Sequence, residues 1–403
     1  MSSSSVESRP KEHDRNADDA VRQPINSSRH EPQQPCAENP KVAEPAHALC
    51  VDRFRRHCVL MNNGVWMPLV GIGICKGDSA MVERVVEAAV AAGYRYIDTS
   101  HAAHNEAAIG NALRRVIAAG KVRREELFVV TKLPCEGNRR DKVRKYLRSS
   151  LKKLQMPFVD LYMVHFPVYE RAFKKSHRRH GDAHQQSDLP DVDASPDSPT
   201  SEEESATPAA VDETDILDTW RGMEDAANMG MTRSIGLCNF NKEQVTRILA
   251  MATIRPAALQ VECHAYMNQD DLLQFCKERS ICLTAYAPLG SPVGAMHVAA
   301  CSKEQKPREE QNHSDLMQHA VLRKMADTYK KTPAQILIRW LLQRGVVALP
   351  RSTCPDHIQE NIQVFDFELS ETDVKTLTGL NRNMRLFAYN IYGLPDRAEY
   401  PFK

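Results

Sequence analysis

The sequence predicts an α/β fold in which eight parallel strands, each followed by a helix, close into a barrel. Two observations lead there. Short runs rich in Val, Ile and aromatics alternate with amphipathic helical stretches in eight strand–helix units, and that order implies parallel strands joined by right-handed crossovers. No Gly-x-Gly-x-x-Gly follows an early strand, which argues against an open dinucleotide-binding sheet. A third observation locates the chemistry. YRYID ends on Asp98, LFVVTK on Lys132 and LYMVH on His165. Buried strands exclude charge, so each ending needs a reason. In a (β/α)8 TIM barrel the C-terminal strand ends open on one mouth, where all three side chains converge.

The elements follow in order. CVLMNNGVWMP predicts a hairpin on an Asn63-Gly64 turn. LVGIGIC reads as a strand and MVERVVEAAVAAG as a helix closed by Gly93. Strand YRYID leads to helix EAAIGNALRRVIAAG, and LFVVTK to helix DKVRKYLRSSLKKLQ. Strand VDLYMVH is followed, after a long polar stretch, by helix ILDTWRGMEDAANMG. Then come strand SIGLCN, helix KEQVTRILAMA, strand ALQVECH, helix QDDLLQFCKERS and strand CLTAYA. A helical pair, DLMQHAVLRKMADTYKK and PAQILIRWLLQRG, precedes strand VVALP and helix PDHIQENIQVF.

Composition divides the chain. Residues 1–50 are rich in Ser, Pro, Asn, Glu and Arg and cannot bury enough apolar area to offset their ordering entropy, so a disordered tail is expected there. The barrel is expected over 55–403. It is interrupted by a low-complexity, disordered insert at about 174–212, after strand 4, and a polar loop at about 295–315. These segments account for a mean hydropathy of −0.48, low for an enzyme. Elsewhere 42% apolar and 26% charged residues suit a full-sized core. Lys plus Arg number 53 against 52 Asp plus Glu, so no global field draws in nucleic acid or an anionic membrane. The 11 cysteines follow no metal or disulfide spacing, and most of them, such as Cys263 and Cys282 inside apolar runs, read as small core side chains of a protein in a reducing compartment. With no signal-like or transmembrane run, a cytoplasmic location is expected.

Reading off the strand ends gives Asp98, Lys132, His165, Asn239, Gln260 or His264, Tyr286 and Arg351. Each alone has a bland explanation, since a lone Lys snorkels and a lone His is usually a bonded structural residue. Together, half-buried at one mouth, they would have pKa values moved toward useful ranges.

GYRYIDTSHAAHNE, FVVTKL, LYMVHFP, IGLCNF, LQVECH, AYAPLGSP and ALPRSTCPDHIQEN, in this order and spacing, resemble the aldo-keto reductases, and NRNMRLF…EYPF resembles that family's closing loop. The resemblance covers roughly Cys58 to Lys403 without the insert. It implies NADPH, with NADH as the alternative, lying across the barrel mouth and passing hydride to a small-molecule aldehyde or ketone. Tyr286 then resembles the aromatic that stacks on the nicotinamide, with Asn239 and Gln260 at its carboxamide. Cys238 stands where a serine is usual. Ala287, Leu289 and Ser291 would line the pyrophosphate path. Arg351, Ser352 and Thr353 would grip the 2′-phosphate, with Glu360 and Asn361 near the adenine. His357 replaces a second arginine, which weakens the preference for NADPH over NADH.

The family's catalytic four are Asp, Tyr, Lys and His. Asp98, Lys132 and His165 match three of them, while the tyrosine slot holds Ala103. A positioned general acid is typically worth about 10²–10⁴ in rate. The resemblance therefore implies a reductase with an altered proton donor (His165, His104 or water). The alternative is a silent, cofactor-binding sensor or scaffold, with the tail and the insert as attachment points for a protein partner. Trp66, Phe166 and Phe387 are candidate pocket walls. Tyr389 and Tyr392 are candidates to reach the vacant slot from above.

Overall fold

The computed structural model describes residues 56–74, 76–168, 215–291, 315–389 and 394–403. The expected tail, the insert at 174–212 and nearly all of the polar loop at 295–315 lie outside them.

A two-stranded antiparallel hairpin comes first, β1 (Cys58–Leu60) with β2 (Trp66–Pro68). Its turn needs a left-handed residue, and Gly64 supplies it at φ 83°. Eight parallel strands follow in unbroken spatial order: β3 (Ile72–Gly73), β4 (Tyr96–Asp98), β5 (Phe128–Leu133), β6 (Val159–Val164), β7 (Thr232–Cys238), β8 (Ala258–Glu262), β9 (Cys282–Tyr286) and β10 (Val347–Leu349). The last strand returns to the first: Val70 bridges Ala348 in parallel, Gly71 N donates to Ala348 O at 3.0 Å, and Gly73 N donates to Pro350 O at 3.0 Å. The predicted barrel is closed by that seam.

The helices are α1 (Ser79–Ala92), α2 (Glu106–Ala118), α3 (Arg140–Leu154), α4 (Ile216–Asn228), α5 (Lys242–Met251), α6 (Asp270–Glu278), α7 (Ala320–Tyr329), α8 (Pro333–Gln343), α9 (Pro355–Ile362) and α10 (Glu371–Thr378). Their ends follow local chemistry. Asp78 caps the first amide turn of α1 and Gly93 closes it at φ 104°. Thr332 and Gln335 form a capping box on α8 with Pro333 in its first turn. Two expectations need correction. Of LVGIGIC, whose Cys75 lies outside the described residues, only Ile72–Gly73 is strand, since Val70 pairs across the barrel seam with Ala348 as a single bridge rather than a ladder. Helix α10, capped by Ser370, had not been expected, since its amphipathic pattern spans only two turns.

Strand periodicity then builds two cores. Side chains of one parity point inward: Tyr96, Phe128, Val130, Leu161, Met163, Ala258, Val347 and Leu349 fill the barrel with Met61 and Met67 of the hairpin. The other parity packs under the helices, where Ile97, Val129, Tyr162, Leu237 and Leu259 meet Val86, Leu113, Leu147 and Trp220. The hairpin closes the N-terminal end, since Asn62 donates to Pro256 O at 2.8 Å and Asn63 to Ser234 Oγ at 2.8 Å, beside the starts of β8 and β7. Trp66 belongs to this hairpin, so the expectation of a pocket wall there is corrected.

Candidate active site

Continue the inward parity one step past the hydrophobic filling and the polar residues appear: Asp98 after Tyr96, Lys132 after Val130, His165 after Met163, Gln260 after Ala258. Asp98 and Lys132 are 6% and 3% exposed, so neither charge is solvated by bulk water. Each is compensated instead. Lys132 Nζ donates to Asp98 Oδ1 at 2.6 Å and to Thr99 O at 2.9 Å, while Gln260 Nε2 donates to Asp98 Oδ2 at 3.0 Å. Both carboxylate oxygens are thereby occupied, which is what a buried ion pair needs.

His165 stands beside this pair. Burial first, then the Lys132 ammonium and the Arg351 guanidinium, lower its pKa from 6.5 to about 3, so the imidazole is neutral at pH 7. Stability should follow. Below pH 6.5 the unfolded chain protonates His165 while the folded one does not, so the unfolded state binds more protons and the fold loses up to about 1.4 kcal/mol per pH unit down toward pH 3. Urea midpoints between pH 7 and pH 4 should fall less steeply in His165→Asn than in the parent; parallel slopes would refute the assignment.

The amide residues are equally constrained. Asn239 Nδ2 donates to His165 O at 3.1 Å and faces Cys238 Sγ at 3.4 Å, and its Oδ1 accepts from Tyr286 OH at 2.8 Å. Burial pushes the Cys238 thiol up to about 12, which keeps it protonated. Past β9 the turn is tight: Ala287 and Ser291 adopt φ 50° and 46°, and Gly290 N donates to Ala287 O at 3.0 Å beside half-buried Leu289. Asn239 (φ 64°) and Tyr389 (φ 53°) are also left-handed. Non-glycine residues in this region cost about 1–3 kcal/mol each and concentrate at functional surfaces.

Arg351 is exposed at the end of β10. Its chain crosses to β3, where a side chain at Gly73 would come within 2.9 Å of Arg351 Cγ, so glycine makes room for it. Ser352 and Thr353 lead into α9, whose first turn carries free amides and the positive end of the helix dipole. Ser352 Oγ accepts from Cys354 N at 3.1 Å. Glu360 is half-buried and Asn361 is 4% exposed on the same helix.

The structure thus brings Asp98, Lys132, His165, Gln260, Asn239, Cys238 and Tyr286 into one bonded or electrostatically coupled group, with Arg351 reaching it electrostatically from β10. Ala103 ends a 3-10 turn, His101–Ala103, packed beside β5 and half-buried. His101 looks the other way, with Nδ1 3.4 Å from Ser150 Oγ and its ring 5.2 Å from that of Tyr146. His104 is exposed at φ 53°.

The C-terminal segment roofs the mouth. Phe387 meets Tyr286 edge-on at 5.7 Å, and Phe166 lies 5.1 Å from Tyr389 and 5.9 Å from Phe402. Tyr392 lies outside the described residues. One residue that strand-end reading passed over is Glu262. Its carboxylate accepts from Leu386 N at 2.7 Å, Phe387 N at 3.0 Å and the ring of His264 at 2.9 Å. The signal was present in LQVECH, where Gln260, Glu262 and His264 share one parity of a strand that should bury only apolar groups. His264 therefore supports Glu262, while Gln260 belongs to the Asp98–Lys132 pair.

Comparison with known proteins agrees with this geometry. The model for "Aldo/keto reductase family" matches residues 73–382. Aldo-keto reductase family 1 member C1 of Macaca fuscata fuscata is 36% identical over 353 residues, covering 86% of this chain and 98% of that protein. Aldo-keto reductase family 1 member A1 of Gallus gallus is 37% identical over 348 residues, covering 85% and 95%. The crystal structure of a Bombyx mori aldo-keto reductase in complex with NADP superposes with a TM-score of 0.67 at 32% identity, covering 85% of this chain and 98% of that one.

Proposed function

This chain belongs to the aldo/keto reductase family, and from that premise we propose that it binds NADPH at the barrel mouth and reduces a small-molecule aldehyde or ketone without the family's tyrosine. The observation that carries the reading is the Lys132–Asp98 pair beside neutral His165, closed in by Gln260, Asn239 and Tyr286. Among the described residues no helix is long and apolar enough to cross a membrane.

The residues fit the cofactor. Gly73 leaves a bare surface over which Arg351 extends a permanent cation, followed by Ser352, Thr353 and the amides of α9. A guanidinium, two hydroxyls and a helix N-terminus make a donor set for phosphate. Asn239 and Gln260 present amides for a carboxamide and Tyr286 an aromatic face; Cys238 adds a thiol. Ala287, Leu289 and Ser291 form the turn that would carry the pyrophosphate, and Glu360 and Asn361 the adenine end. When bound, NADPH supplies the hydride.

The chain's own part is orientation and charge. A carbonyl carbon takes the hydride pair and its oxygen then takes a proton. His165, neutral at pH 7, can hold that oxygen by an N–H but is too weak a base to carry an acidic proton. His104 points to solvent, and Ala103 offers only a methyl. These observations favour water as the donor, delivered beside the Lys132 ammonium. A second reading, cofactor binding without turnover and with a protein partner at the tail or insert, draws on the same Ala103 and on Asn239 and Gln260 being satisfied within the protein.

Steady-state NADPH oxidation with an aldehyde panel separates the two readings. Slow turnover is expected; calorimetric binding with no turnover would favour the second, and no heat on NADPH addition would remove both. Arg351→Ala should weaken NADPH by roughly 10–100-fold, the worth of a charged hydrogen bond at about 1.5–3 kcal/mol, while leaving NADH nearly unchanged. Equal losses for both would take the 2′-phosphate away from Arg351.

A further inference from the structure

The C-terminal segment does more than roof the mouth: it places a side chain on the group that should receive the cofactor. Tyr389 is half-buried with its ring 5.1 Å from that of Phe166, and Phe387, two residues before it, meets Tyr286 edge-on at 5.7 Å. The Tyr286 and Tyr389 hydroxyls are electrostatically coupled, with the charge of Arg351 felt at Tyr389. Its backbone is left-handed at φ 53°. A tyrosine has no intrinsic preference for that conformation, so the surroundings must impose it. They do so from two sides.

On one side is Glu262, 0% exposed at the end of β8. Its two oxygens take the amides of Leu386 and Phe387, and Arg385 Nη1 lies 3.8 Å away. On the other side, Tyr400 OH donates to Ala388 O. Arg385 stacks over Phe402 at 3.8 Å. Glu399 is held by Gln244 at 3.0 Å and by Arg247 at 2.7 Å, and Asn241 donates to Pro401 O at 3.3 Å. A buried carboxylate and a stack on α5 thus fix the chain immediately before and at the far end of the Tyr389 segment.

At the mouth, Tyr286 OH donates to Asn239 Oδ1, and Gln260 Nε2 donates to Asp98 Oδ2. The groups the proposed function assigns to the nicotinamide end are therefore already engaged within the protein, and the 385–389 segment lies against Tyr286 through Phe387.

We propose that Glu262 is a positioning residue that clamps residues 385–389 so that Tyr389 self-occludes the Tyr286 end of the site, and that NADPH binds by displacing it. This rests on the cofactor assignment above, and the test separates the two. By calorimetry, Tyr389→Ala should bind NADPH about tenfold more tightly than the parent, because no plug must leave; Glu262→Gln, which replaces one acceptor oxygen with a donor facing an amide, should shift affinity in the same direction. Hydrogen exchange at the Leu386 and Phe387 amides, followed without any turnover, should be faster in free Glu262→Gln and should also speed up in the parent when NADPH is added.

A segment that merely covers bound cofactor gives the opposite pattern: weaker binding in both variants and slower exchange on addition, which overturns the proposal. Unchanged affinity in Tyr389→Ala overturns it while leaving NADPH binding intact. No heat in the parent and in either variant overturns both. Should Glu262→Gln fail to fold, Tyr389→Ala and the exchange response of the parent decide alone.

Discussion

Ala103→Tyr is expected to raise NADPH-dependent turnover of a reactive aldehyde by at least tenfold. The change places a phenol on the turn packed beside β5, the strand that carries Lys132. A phenol of ordinary pKa about 10 is a poor acid at neutral pH, but a nearby ammonium favours its anion and lowers that value. Lys132 is suited to this because Asp98 and Thr99 O hold it in one position. A well-placed general acid contributes about 10²–10⁴, so tenfold is a floor that allows for imperfect placement on a turn built around alanine. The gain should appear in kcat more than in KM, since a proton donor acts in the transition state. A folded Ala103→Tyr protein with unchanged kcat would show that position 103 is not the acid's slot.

The second large effect concerns stability. Lys132→Met is expected to cost about 3–5 kcal/mol, because it leaves a buried carboxylate with only the Gln260 amide for company and strips Thr99 O of its donor. Asp98→Asn combined with Lys132→Met should cost less than Lys132→Met alone, since no uncompensated charge then remains. Urea unfolding of the parent, both single variants and the double variant closes the cycle. A loss below about 1 kcal/mol for Lys132→Met, or a double variant worse than the sum, would mean that the pair is not buried as described.

Both predictions show how legible the site was. Asp98, Lys132 and His165 were readable because each breaks an apolar strand at its last inward position, and a barrel sends all such positions to one end. Gln260 and Tyr286 share that parity. Glu262 carried the same signal and was passed over, because its partners Leu386 and Phe387 lie 124 and 125 residues away in a segment with no regular pattern. His104 illustrates the reverse case, since adjacency to Ala103 in sequence says nothing about direction, and the residue is exposed with a left-handed backbone. Trp66 failed for a similar reason: a hairpin strand can sit at either end of a barrel, and side-chain bonds from Asn62 and Asn63 put this one at the far end.

By itself the sequence determined the eight-fold alternation, the caps that start and stop the helices, and which side chains stand at the inward C-terminal strand positions. These are local properties, set by periodicities of two and of 3.6 residues. The tertiary structure alone decided which groups bond: that Asp98 divides its oxygens between Lys132 and Gln260, that Asn239 accepts a hydrogen bond from the Tyr286 hydroxyl, and that Glu262 holds a C-terminal segment over the mouth. Such pairings depend on barrel closure and on chain returning from far along the sequence, and no local periodicity encodes where it lands.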